Sequence, residues 1–162
     1  MSALPKTDKV VIRVNEAKWT KHLMKAGWTV LPNVFFEYQQ ALGLDALDIN
    51  ILLHIASYWW KPEGKPHPSK VTIARAIGVD PRTVQRRIAA MEAVGFIKRE
   101  ERRISGVGSD TNVYHLEGLI KAAAPYAAEK LERIEKKKAE RAERASRKGK
   151  TRFRVVVDND ET

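Results

Sequence analysis

The stretch from Pro68 to Glu100, PSKVTIARAIGVDPRTVQRRIAAMEAVGFIKRE, decides the fold. It reads as two short helices joined by a tight turn. Ser69 is a good N-cap for a helix running to about Ile77, because its hydroxyl accepts from a free N–H of the first turn. Pro68 discourages an earlier start. Ile73, Ala74 and Ile77 share one face, and Gly78 supplies the left-handed residue that closes such a helix. Asp80 and Pro81 then signal a second start, a capping carboxylate followed by proline at the first helical position.

The second helix is expected over 81–94, and at about 100° per residue its side chains sort by angle. Val84, Ile88 and Met91 cluster toward a core, while Arg82, Arg86, Ala89 and Ala90 lie opposite, with Thr83 and Gln85 on the flanks. Long cationic groups near the N-terminus, followed by small residues a turn later, suit entry into the major groove of DNA. Arginine matches guanine and glutamine matches adenine by paired hydrogen bonds. Arginines on an outer helix face are more often merely solvated, so the case rests on agreement with the surrounding elements.

Those elements extend the pattern both ways. Asp45 or Asp48 can cap a helix running to about Trp60, with Leu47, Ile51, Leu52, Ile55 and Trp59 as its buried stripe. The loop 61–68, KPEGKPHP, is irregular, and its Lys61, Lys65 and His67, just before the helix-turn-helix, are candidates for phosphate contact. After Gly95, residues 96–103 and 111–116 read as strands around the turn ISGVGSD, 104–110. Ile73-Ala74, Gly78-Val79, Thr83-Val84 and the phrase EAVGFI, 92–97, make the segment from Asp45 to Leu116 resemble the winged helix-turn-helix domains of bacterial, phage and plasmid regulators and replication proteins. The resemblance implies a recognition helix at 81–94 and a wing formed by the hairpin.

The predicted fold is mainly α with a small β-hairpin: an N-terminal extension over 1–44, a winged helix-turn-helix domain over 45–117, a basic C-terminal helix over 118–149 and a tail over 150–162. In the extension, Lys9–Val14 alternates as a short strand would, and 16–26 is expected to be helical with Trp19, Leu23 and Met24 on its apolar side. The apolar run from Trp28 to Phe36 is read as core or dimer contact, with a helix over 32–42 stopped by Gly43. In the C-terminal helix Ile120, Ala124, Ala127, Leu131 and Ile134 recur at alternating steps of four and three, a short coiled-coil-like seam. Pro125 is expected to kink that helix or to start a new one, and Thr151–Val157 is a small strand candidate.

Composition agrees with a polyanionic partner. Lys plus Arg is 30 against 20 Asp plus Glu over 162 residues, a net charge of +10 that favours binding by counterion release. The absence of cysteine removes disulfides and thiolate chemistry, and no apolar run approaches a membrane span. No secretory signal is legible, so the expected compartment is the bacterial cytoplasm or nucleoid. His22, His54, His67 and His115 are scattered, and no P-loop, GxSxG elbow or HExxH helix is present. No catalytic residue, metal, cofactor or small-molecule ligand is therefore expected.

The expected partner is double-stranded DNA, bound by a homodimer acting in transcriptional regulation. Base readout is assigned to Arg82, Thr83, Gln85 and Arg86, and phosphate or wing contacts to Lys65, Ser69, Lys70, Arg87, Arg102, Arg103, Ser109 and Asn112. The alternatives are a plasmid or phage replication initiator binding origin repeats, and a protein-interaction module built on the same fold.

Overall fold

The computed structural model of the chain describes residues 6–104, 108–109 and 111–148. Its N-terminal region is helical from the outset, with α1 at Lys6–Trp19, α2 at Lys21–Ala26 and the single turn α3 at Val34–Glu37. The strand expected at 9–14 is part of α1. A lone strand there would need a neighbour for its backbone N–H and C=O groups, and a helix satisfies them internally. Val10 and Val14, four apart, are both exposed in α1. The helix expected over 16–26 is broken at Thr20, whose φ of 70° and ψ of 151° end one helix while its hydroxyl caps the next. The expected helix over 32–42 shrinks to α3, after which turn-type bonds such as Leu44 N–H to Gln39 O, 2.8 Å, carry the chain past Gly43 at φ 70°.

Three helices then build the core. α4, Ala46–Ala56, starts on a reciprocal cap. The Asp45 carboxylate accepts from the Leu47 and Asp48 N–H groups at 2.9 Å each, and Asp48 accepts from the Asp45 N–H at 3.0 Å. The helix ends four residues before Trp60, which takes Trp59 off the expected buried stripe and leaves it exposed. α5, Lys70–Ile77, is capped by Ser69 and closed by Gly78 at φ 78°, ψ 32°, whose N–H donates to Ala74 O at 2.9 Å. α6, Pro81–Ala93, begins on Asp80 with Pro81 in its first turn. Ile51, Ile55, Ile73, Val84 and Ile88 are almost completely removed from water where these helices meet. Burying side chains of this size stabilises the fold by about 1.5–3 kcal/mol each before entropy is counted.

The hairpin follows α6 through Gly95. β1, Lys98–Glu100, pairs antiparallel with β4, Val113–His115, in the register Lys98↔His115, Arg99↔Tyr114 and Glu100↔Val113. Nearer the tip, β2, Arg103–Ile104, pairs with β3, Gly108–Ser109. Tyr114 donates its N–H to Pro66 O at 2.8 Å, which fastens the 61–68 loop beside β4 and buries Pro66 and Pro68.

The last helix, α7, runs over Glu117–Lys148 without interruption at Pro125. Proline costs the Lys121 carbonyl its partner, but both residues are exposed, so water replaces the lost bond. The chain divides into two units after Ala123. In the first unit Leu119 and Ala123 of α7 are buried, and Leu119 N–H donates to Phe96 O at 3.0 Å. Gly118 makes this junction possible, because a Cβ there would stand 1.8 Å from the backbone oxygen of Gly95. In the second unit every residue from Leu131 to Arg147 is exposed, including Leu131 and Ile134 of the predicted seam. The strand expected at 151–157 lies outside the described residues.

Candidate nucleic-acid interface

α6 divides its residues as its angular spacing requires. Val84, Ile88 and Met91 are buried against α4 and α5, which fixes the rotation of the helix and leaves Arg82, Gln85, Arg86, Ala89 and Ala90 exposed on the other side. Thr83 is half-buried at the flank. The Asp80 side chain accepts from Arg82 N–H at 2.7 Å, anchoring the start of the helix. The result is a rigidly mounted helix with guanidinium and amide groups in its first two turns and methyl groups after them. Nothing bulky on the Ala89–Ala90 side would hold this face away from a groove floor.

The α5 start meets this face. Lys70 Nζ donates to Gln85 Oε1 at 2.6 Å, with both side chains exposed. Ser69, assigned from the sequence to phosphate contact, has its hydroxyl engaged at the cap, 2.9 Å from Thr72 N–H and 2.8 Å from Thr72 Oγ1. Arg87 stands apart from the other arginines of α6. Its guanidinium lies 2.6 Å from Asp45 and 3.7 Å from Asp48, where it braces α6 to the start of α4.

That brace sets the two aspartates against each other. Hydrogen bonding from the Asp48 N–H, helped by Arg87, holds the Asp45 carboxyl below the usual carboxylate range. Burial pushes Asp48 above it, although the Asp45 N–H and Arg87 both pull the other way.

The hairpin is clamped to α6 at its base. Glu92 accepts from Arg99 Nε at 2.7 Å and from the Arg99 backbone N–H at 3.0 Å, with a second guanidinium nitrogen closing on the same carboxylate. The Arg99 side-chain hydrogen bonds hold the Glu92 carboxyl below its ordinary value. Glu100, bonded to His115 Nε2 at 2.8 Å, is likewise lowered, first by that bond and then by the charge of Lys65. The Tyr114 N–H to Pro66 O bond places the 61–68 loop, which carries Lys65, beside β4 of the hairpin. His67 turns inward to its own loop, its Nδ1 3.0 Å from Lys65 O.

Arg102 is exposed and Asn112 half-buried along the hairpin, while the side chains of Arg103 and Ser109 lie outside the described residues. Thus Arg82, Gln85 and Arg86 share the exposed face of α6, Lys70 reaches Gln85, Lys65 lies in the 61–68 loop and Arg102 on the hairpin, and Arg87 pairs with the start of α4. Sequence reasoning missed the Lys70–Gln85 contact and the Arg87 brace, since each joins residues far apart in the chain. The acidic cap at Asp45 and Asp48 was the only signal that a cation would be drawn to the start of α4.

Residues 42–97 match the family model of a helix-turn-helix domain. This span holds α4, α5 and α6 with the turn between the last two, and it ends just before β1, so the match and the three-helix geometry coincide. No curated protein shows a match to the chain. No helix among the described residues is long and apolar enough to cross a membrane.

Proposed function

From the premise that residues 42–97 are a helix-turn-helix domain, which points to DNA binding, we propose that this chain is a sequence-specific double-stranded DNA-binding protein acting as a transcriptional regulator. The observation that carries this reading is the exposed face of α6, with Arg82, Gln85 and Arg86 mounted over a core that fixes the helix rotation. α6 lies in the major groove. Its first two turns read base edges. Arg102 follows the phosphates from the hairpin, which serves as a wing, and Lys65 does so from the 61–68 loop. Arg87 contributes by holding α6 against α4 rather than by touching DNA. The protein works by binding and not by catalysis, in the bacterial cytoplasm or nucleoid.

A regulator of this kind reads its operator as a homodimer. Support comes from apolar side chains that one copy leaves in water, among them Trp19, Trp28, Trp60, Leu131 and Ile134. Sedimentation across a range of concentrations tests this: a monomer–dimer equilibrium is expected, and a concentration-independent monomer rules it out. Selection of bound fragments from genomic DNA tests the function itself. Promoter sites with two-fold symmetry are expected. Direct repeats at an origin would assign the chain to replication initiation instead, and no binding at low salt would assign the domain to protein contacts.

A further inference from the structure

Lys70 opens α5 and Gln85 sits on the exposed face of α6, yet the Lys70 ammonium donates to Gln85 Oε1 at 2.6 Å. An ammonium has donors only, so the contact fixes which way the amide is turned: oxygen toward Lys70, NH₂ outward. Ser69, the other hydrogen-bonding side chain at this helix start, is engaged with Thr72 and does not compete. A free glutamine offers one donor and one acceptor, which matches the N6 donor and N7 acceptor of adenine. Held by Lys70, that oxygen is turned toward the ammonium, so the amide no longer offers its donor and acceptor side by side to one base. The pair together then presents amide N–H and the remaining ammonium N–H groups, all donors. Guanine is the purine whose major-groove edge, N7 and O6, consists of acceptors alone.

We propose that Lys70 is a positioning residue that sets the base preference of Gln85, converting a side chain suited to adenine into part of a two-residue reader of guanine. The inference rests on the reading of α6 as the DNA-contacting helix. Groove binding favours the arrangement, because excluding water strengthens a charge-assisted bond that is weak when solvated. The sequence reading of Lys70 as a phosphate contact makes a different claim. A phosphate contact contributes equally to every sequence, whereas a positioning residue changes which base is chosen.

The test is selection of bound sequences from a random duplex library by the full-length protein, by Lys70→Met and by Gln85→Ala. Methionine keeps the unbranched stem and removes the donors, and both positions are exposed, so the fold is unaffected. The wild type is expected to select guanine at one position where Gln85→Ala loses its preference. Lys70→Met is expected to move that position toward adenine by about tenfold and to leave the others alone. If Lys70→Met keeps every base preference and weakens all sequences equally, with a shallower salt dependence, Lys70 is a phosphate contact and the inference is wrong. Adenine at the Gln85 position in the wild type, or a selected site that Gln85→Ala leaves unchanged, overturns it as well while DNA reading by the protein stands. A wild type that enriches no sequence overturns the DNA reading and this inference together.

Discussion

The region from α4 to the hairpin and the region from α1 to α3 are both largely helical and both rich in apolar side chains, yet they use them in opposite ways. In the first, Ile51, Ile55, Ile73, Val84, Ile88 and Ile97 are buried. In the second, Val10, Val14, Trp19, Leu23, Trp28 and Val30 are at least half-exposed or close to it, and Phe35 is the only large side chain among those described that reaches the core. The difference begins with local signals. α4, α5 and α6 each start on a side chain that caps the first turn, and two of them bury a stripe at helical spacing on their neighbours. α2 has only the 3.5 Å contact of Thr20 and α3 has no side-chain cap. A helix with matching cap, stripe and partner buries its apolar face, whereas α1 and α2 leave much of theirs in water.

Substitutions in the two regions should separate them sharply. Ile51→Ala is expected to cost about 2–5 kcal/mol in chemical denaturation, since the side chain is wholly buried and leaves a cavity. Val30→Ala, 70% exposed, should stay within about 0.5 kcal/mol under monomeric conditions. A large loss at Val30 in dilute protein would erase the contrast. Gly118→Ala comes next, at about 3 kcal/mol, because its methyl group would meet the Gly95 carbonyl oxygen and force the α7 junction apart. A wild-type melting curve for this variant would show that the junction is not close-packed.

Glu92→Gln is smaller, at about 1–2 kcal/mol, since it weakens charged hydrogen bonds that join α6 to β1. The pH dependence has a definite sign. Glu92 has a lower value folded than unfolded, so its contribution is complete above the usual glutamate range and is lost as pH falls through the depressed folded value. Asp48, raised by burial, works in the opposite sense: folding gains as pH falls below its raised value toward the ordinary aspartate range. The Gln variant should therefore lose stability less steeply in acid than the wild type. Parallel profiles would remove Glu92 from the account.

The helix-turn-helix was legible because its signals are local. Ser69, Gly78, Asp80 and Pro81 each act within a few residues, and the observed boundaries of α5 and α6 follow them closely. The sorting of Arg82, Gln85 and Arg86 to the outside was legible too, since helical spacing alone determines it. Where pairing across the chain decides the outcome, local patterning misleads. Lys9–Val14 alternates like a strand but joins α1, and Gly118 gives no sign in the sequence that Gly95 will lie against it. Arg87 illustrates the same limit within the site, because Asp45 and Asp48, the partners of its ion pairs, are about forty residues away in the chain.

The central claim, that the outer face of α6 reads bases, is tested most directly by comparing Arg86→Ala with wild type on a selected site and on random duplex at one salt concentration. The account predicts a loss of about 1–3 kcal/mol on the selected site, a much smaller loss on random DNA, and relaxed preference at one base pair. Equal losses on both would make Arg86 a phosphate contact and contradict the assignment.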